Sequence, residues 1–147
     1  MLHLLDANVL ITANRLYYPL ERVPEFWEWL LHHAAARQVL SDRDHLDAMC
    51  FDEEADIELV QRVINNGYAP DLNDQEVEII GRDPFLIAYA LHAPADRCVV
   101  TTEVSKPKRV RANRRVPDVC TQMQIPWMDS FGLATALDFS TAWRTRI

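Results

Sequence analysis

A chain of 147 residues, 49% hydrophobic and 25% charged, is long enough for one domain with its own core and too short for two. Its formal net charge of -7 argues against a uniformly basic nucleic-acid binder, but the charge is uneven: six of the fifteen basic residues fall in the run KPKRVRANRR, Lys106 to Arg115. No apolar run reaches the ~18 residues that span a bilayer, and three widely spaced cysteines (Cys50, Cys98, Cys120) form neither a disulfide framework nor a zinc motif.

Along the chain, Leu2–Leu5 is a short apolar run ending at Asp6, which predicts a buried strand. The acid also interrupts any signal-peptide pattern, so a cytoplasmic protein with reduced thiols and no membrane partner is expected. Pro24 fits a first helical residue, followed by an apolar stripe through Phe26, Trp27, Leu30, Leu31 and Ala34. Trp27 is expected in the core, and Trp29, on another face, at an interface. Val39–Leu40 reads as the stub of a second strand. Asp56–Asn66 has Ile57, Val60, Val63 and Ile64 on one face, with Asn65-Asn66-Gly67 as a stop signal.

Asn73 and Glu76 have capping-box spacing, with Val77 and Ile80 facing inward. Asp83-Pro84 reads as cap and first-turn proline of a helix that is apolar all round, Phe85 to Leu91. Arg97–Thr101 holds a second buried strand. After the basic loop (105–115) come a short helix from Val116-Pro117-Asp118 to about Met123, a last strand at Ile125–Met128, and a helix capped by Ser130. Apolar strands alternating with helices predict a single α/β domain over 1–147: a three-layer α/β/α sandwich around a mainly parallel sheet.

Ligands of an open parallel sheet gather beyond the carboxyl ends of its strands. Asp6 and Glu103 follow two such ends, and Asp83 opens the buried helix. Carboxylates that converge repel one another by roughly 4 kcal/mol per pair at about 4 Å and an effective dielectric near 20. A cation or a retained proton must offset that. Oxygen ligands without His or Cys favour Mg²⁺ or Mn²⁺ over zinc, and such ions can activate water against a phosphodiester. Asn8, Thr101, Thr102 and Asp118 are candidate supporting residues, each with an ordinary turn, strand or capping role as its alternative. Lys106, Lys108, Arg109, Arg111, Arg114 and Arg115 are candidate phosphate contacts. If all six neutralise phosphates of a single strand, log affinity should fall against log salt with a slope of about -4. No aromatic residue interrupts the run, so the loop has nothing on which to stack a base.

Leu4-Leu5-Asp6-Ala7-Asn8-Val9-Leu10-Ile11, Asp83-Pro84-Phe85-Leu86-Ile87-Ala88-Tyr89-Ala90-Leu91 and Val99-Val100-Thr101-Thr102-Glu103 resemble, in order and spacing, the first, third and fourth motifs of PIN domains. Tyr17–Leu30 and Val116-Pro117-Asp118-Val119-Cys120 further resemble a less characterised bacterial PIN-like subfamily of toxin-like members. The resemblance implies a PIN-like fold and a Mg²⁺- or Mn²⁺-dependent endoribonuclease, the toxin of a toxin–antitoxin pair of the VapC type. Asp6, Asp83 and Glu103 would be its metal-binding catalytic acids and RNA its substrate. It also implies a homodimer and a cognate antitoxin.

The family's second acid has no clean equivalent. Val39-Leu40 runs directly into SDRDHLDAMCFDEE, where Asp42, Asp44 and Asp47 are the available substitutes, and the region looks shortened. An impaired PIN-fold module that binds protein or RNA is therefore the alternative from another class, and a DNA-directed nuclease of the same fold is a third. The apolar groups Leu137, Phe139 and Trp143 form a C-terminal tail (137–147) that either packs back on its own domain or docks on another chain. A homodimer would place Trp29 or Trp143 at an apolar contact.

Overall fold

The computed structural model describes residues 1–41 and 56–147. The apolar runs pair as strands β1 (Leu2–Leu5), β2 (Val39–Ser41) and β3 (Arg97–Val100), and Trp127–Met128 adds a short β4. The sheet runs β2-β1-β3-β4 with every pairing parallel. Parallel strands need helical crossovers, and seven α-helices supply them among the described residues: α1 (Ala7–Thr12), α2 (Pro24–Ala35), α3 (Ile57–Arg62), α4 (Asp74–Ile80), α5 (Asp83–Leu91), α6 (Val116–Gln122) and α7 (Ser130–Ala136).

Side-chain alternation divides the core in two. Leu4, Leu40 and Val99 face one side with residues of α3, α4, α5 and α6; Leu5, Val39 and Val100 face the other with α1, α2 and α7. The strands are thus buried on both faces, which explains their unbroken apolar runs. The result is a three-layer α/β/α sandwich. α5 is the most enclosed helix, with Leu86, Ile87, Ala88 and Ala90 fully buried, as its all-round apolar sequence requires.

Several local expectations are revised. The last strand is confined to Trp127–Met128, and α7 is capped by Asp129, whose carboxylate accepts from the Gly132 N–H at 2.7 Å, rather than by Ser130. The Asn73–Glu76 capping box forms, but Val77 is 49% exposed while Ile80 is buried. Arg82 takes the N-cap position of α5 and Asp83 is its first residue.

Gly67 does not stop its helix. α3 widens into a π-helical turn, Val63–Tyr68, and among the described glycines only Gly81 has a positive φ, 53°. Gly67 is instead a close approach: a Cβ there would lie 2.6 Å from Cγ1 of Val119 on α6. Overpacking of this kind costs about 1–3 kcal/mol. A loss of that size is expected for Gly67→Ala in urea denaturation, and an unchanged midpoint would show that α6 can yield.

Of the two tryptophans, Trp27 packs against the core as expected, and Trp29 is core rather than interface. Trp29 is buried among Phe26 and Phe139 and donates from Nε1 to the Leu137 carbonyl at 3.2 Å, while Trp27 is half-buried, its Nε1 donating to the Tyr18 carbonyl at 2.8 Å. The tail packs back, with Trp143 buried and Arg144 paired to Glu28 of α2 at 3.1 Å. Neither Trp29 nor Trp143 is therefore available for the apolar dimer contact expected of them.

His3, on β1, is 4% exposed, with Nδ1 3.2 Å from the Gln38 carbonyl. Burial holds its pKa below the ordinary imidazole value, so the folded chain keeps it neutral where the unfolded chain binds a proton. Its contribution to stability is complete above the unfolded-state pKa of about 6.5 and is lost as pH falls below it. Denaturation midpoints at pH 7.5 and 5.5 should show this drop, and it should shrink in His3→Gln.

Candidate active site

β1 is followed in the sheet by β2 on one side and β3 on the other, so the chain reverses its winding between β1 and β3. That reversal opens a crevice at the carboxyl ends of the two strands. Leu5 pairs with Val100 in register, and the Asp6 N–H donates to the Val100 carbonyl at 2.9 Å, bringing Asp6 and Thr101 together at the crevice floor. Both are buried, at 5% and 0% exposure.

The Asp6 carboxylate receives the Thr101 hydroxyl at 3.2 Å and, as N-cap of α1, the Asn8 backbone N–H at 3.3 Å. The Thr101 oxygen in turn accepts the Glu103 N–H at 3.1 Å. One hydroxyl thus couples the acid after β1 to the segment carrying the acid after β3. Glu103 Oε2 accepts the Val116 N–H at the start of α6, 2.7 Å away, which ties the carboxylate to that helix. Asp83, at the N-terminal end of α5, lines with Glu103 a cavity of about 140 Å³. Tyr68, Arg109, Asn113, Arg114 and Arg115 complete its polar wall. Asp83 and Glu103 thus share a cavity, and Asp6, outside its lining, is linked through Thr101 to the Glu103 backbone.

The donor chemistry, carboxylate oxygens with neither His nor Cys on the cavity wall, suits a hard divalent cation. Among the described residues, however, no three His, Cys, Asp or Glu side chains are grouped closely enough to hold a metal ion by themselves. The substitutes for the second acid, Asp42, Asp44 and Asp47, lie outside the described residues.

The basic run divides by partner. Arg111 is an anchor: its guanidinium binds Glu76 at 2.9 Å and Asp71 at 2.8 Å, holding its own backbone in the left-handed region at φ 56°. This pairing keeps the Glu76 carboxyl below its usual pKa. Arg114 donates to the Gly67 carbonyl at 2.6 Å and also bonds the Gln122 side chain. Lys106, Lys108 and Arg109 are exposed, and Arg115 is half-buried on the cavity wall. Asp118 clamps the start of this loop, accepting the Ser105 hydroxyl at 2.5 Å and the Lys106 N–H at 2.8 Å. Asn8 is exposed, and Thr102 is half-buried on the far side of Glu103.

There a larger groove of about 580 Å³ runs beside the crevice, walled by Tyr17, Trp127 and Phe131 with Thr102, Glu103 and Ser105. The three aromatic side chains are 48%, 38% and 49% exposed. The exposed aromatic side chains absent from the basic run are thus supplied by two distant segments, Tyr17 and Trp127–Phe131.

Sequence reasoning also missed Tyr68. It closes the π-helical turn after α3, with its ring buried and its hydroxyl without a hydrogen-bond partner among the described residues. Burial first, then the charges of Asp83 and Glu103, push its pKa far above the usual phenol range, so it stands at the cavity as a neutral donor. The neighbouring Gly67, by its close approach to Val119, seats the turn against α6.

Among the described residues no helix is long and apolar enough to cross a membrane. No curated protein and no solved structure matches the chain. A family model described as a domain of unknown function, DUF4411, matches residues 3–54 and 43–141, two pieces that overlap in the stretch where the second acid has no clean equivalent. Together the pieces span nearly the whole chain, and the protein belongs to the DUF4411 family.

Proposed function

We infer that this protein is a PIN-like, Mg²⁺- or Mn²⁺-dependent endoribonuclease of toxin type. The observation that carries the reading is that Asp6 and Thr101, after β1 and β3, are linked to the Glu103 backbone, while Asp83 and Glu103 line one cavity. Asp83 and Glu103 would hold the ion, with Asp6 as the third acid. When bound, such an ion supplies charge neutralisation and an activated water for phosphodiester hydrolysis. Thr101 keeps the buried Asp6 carboxylate oriented, and the Val116 N–H does the same for Glu103. Lys106, Lys108 and Arg109 would track the RNA backbone, while Tyr17, Trp127 and Phe131 offer unstacked bases a platform, which supports a single-stranded or looped substrate. A cognate antitoxin and a homodimer belong to the same reading, with a dimer contact that involves neither Trp29 nor Trp143.

The test is cleavage of a fluorescently labelled single-stranded RNA with Mg²⁺ or Mn²⁺ supplied. Loss of cleavage on adding EDTA is expected, and EDTA-insensitive cleavage would reject the metal mechanism. A second reading, an impaired PIN-fold module that binds RNA or protein, is favoured by the lack of a three-residue ligand group among the described residues. RNA binding without cleavage under every metal condition would select it.

A further inference from the structure

Two donors on the wall of the 140 Å³ cavity have no partner among the described residues: the Tyr68 hydroxyl and Nε of Arg115. Leaving a buried donor unpaired destabilises a fold by about 1–3 kcal/mol, and native proteins keep few such groups. Two on one small cavity suggest that the missing acceptor is a ligand atom. The Arg115 guanidinium can only donate, and the Tyr68 phenol can donate as well as accept. Their common partner must therefore be an acceptor, and a negatively charged oxygen suits the Arg115 side of the wall. The exposed Arg109 side chain adds a further positive charge to the same wall.

We propose that Tyr68 Oη and Arg115 Nε form an oxyanion site that holds a phosphoryl oxygen at the cavity bounded by Asp83 and Glu103. The proposal rests on the phosphodiester reading of the crevice and adds the residues that seat the phosphate. Tyr68 and Arg115 are binding residues for the phosphate, and a cation held by Asp83 and Glu103 would offset the repulsion between those acids and the anion. Inorganic phosphate should therefore bind more tightly with Mg²⁺ present than without it.

The experiment titrates inorganic phosphate by calorimetry, with and without Mg²⁺, into wild type, Tyr68→Phe and Arg115→Lys, and records thermal unfolding of each ligand-free protein. Tyr68→Phe removes one hydroxyl and nothing else from the cavity wall. It should weaken phosphate binding about tenfold while leaving the ligand-free Tm unchanged or raised, since an unpaired buried hydroxyl is gone. Arg115→Lys retains the charge, loses the planar Nε–H and should weaken phosphate binding several-fold. The proposal is overturned if wild type binds no phosphate under either condition, or if Tyr68→Phe binds it as well as wild type does. It is equally overturned if Tyr68→Phe lowers the Tm and leaves binding intact, because the hydroxyl then serves the fold, for instance through a buried water. The nuclease reading stands or falls separately: phosphate binding that depends on Tyr68 without RNA cleavage would keep the site and reject the hydrolase, and RNA cleavage with Tyr68-independent phosphate binding would do the reverse.

Discussion

Replacing Asp6 by asparagine is expected to reduce metal-dependent RNA cleavage on the order of a hundredfold or more, since each tenfold corresponds to about 1.4 kcal/mol of lost transition-state stabilisation. Asparagine is the informative substitution because it changes charge and little else. Its side-chain oxygen can still accept the Thr101 hydroxyl, now 3.2 Å from the carboxylate, and the position can still cap α1. It also removes one charge from a group of acids that repel one another. Thermal stability should therefore stay close to wild type or rise, and the two measurements must be made on the same preparation. Cleavage at the wild-type rate would remove Asp6 from the site. A collapse in Tm alongside lost cleavage would assign the carboxylate to the fold, through its buried bond to Thr101, and leave its chemical role unproven.

The sheet was legible because its strands are buried on both faces: Leu2–Leu5 and Cys98-Val99-Val100 leave no solvent side to alternate with, so burial and strand character coincide in the sequence. Asp6 and Glu103 followed directly, because a parallel sheet places the residues after its strands at one edge. Legibility ended where the decisive partner was distant. Arg111 and Arg114 look like their basic neighbours until Glu76, Asp71 and Gly67, between 35 and 47 residues away, are seen to claim them. The burial of Trp29 was not legible because it depends on the C-terminal tail, which places the Leu137 carbonyl and Phe139 against it. Tyr68 carried no signal, because a π-helical turn shifts the side-chain phase after Val63 away from the periodicity of α3.

The division of the basic run changes the salt dependence expected of RNA binding. Arg111 and Arg114 already have protein partners, which leaves Lys106, Lys108, Arg109 and the half-buried Arg115 to meet phosphates. At about 0.7 per phosphate neutralised on a single strand, three or four contacts give a slope of log affinity against log salt of about -2 to -3, shallower than the -4 expected if all six residues bind. The double variant Lys108→Ala/Arg109→Ala should flatten the slope by about 1.4. Arg111→Ala should leave it nearly unchanged and lower stability instead, because the Glu76 and Asp71 carboxylates lose their shared cation and the left-handed backbone at Arg111 loses its anchor. Fluorescence anisotropy on a labelled single-stranded RNA across a salt series, with Asp6→Asn as the background to suppress cleavage, separates the two effects. A slope that flattens in Arg111→Ala by as much as in the double variant would mean that Arg111 leaves Glu76 for phosphate when RNA binds, and that its ion pairs hold the loop only in the free protein.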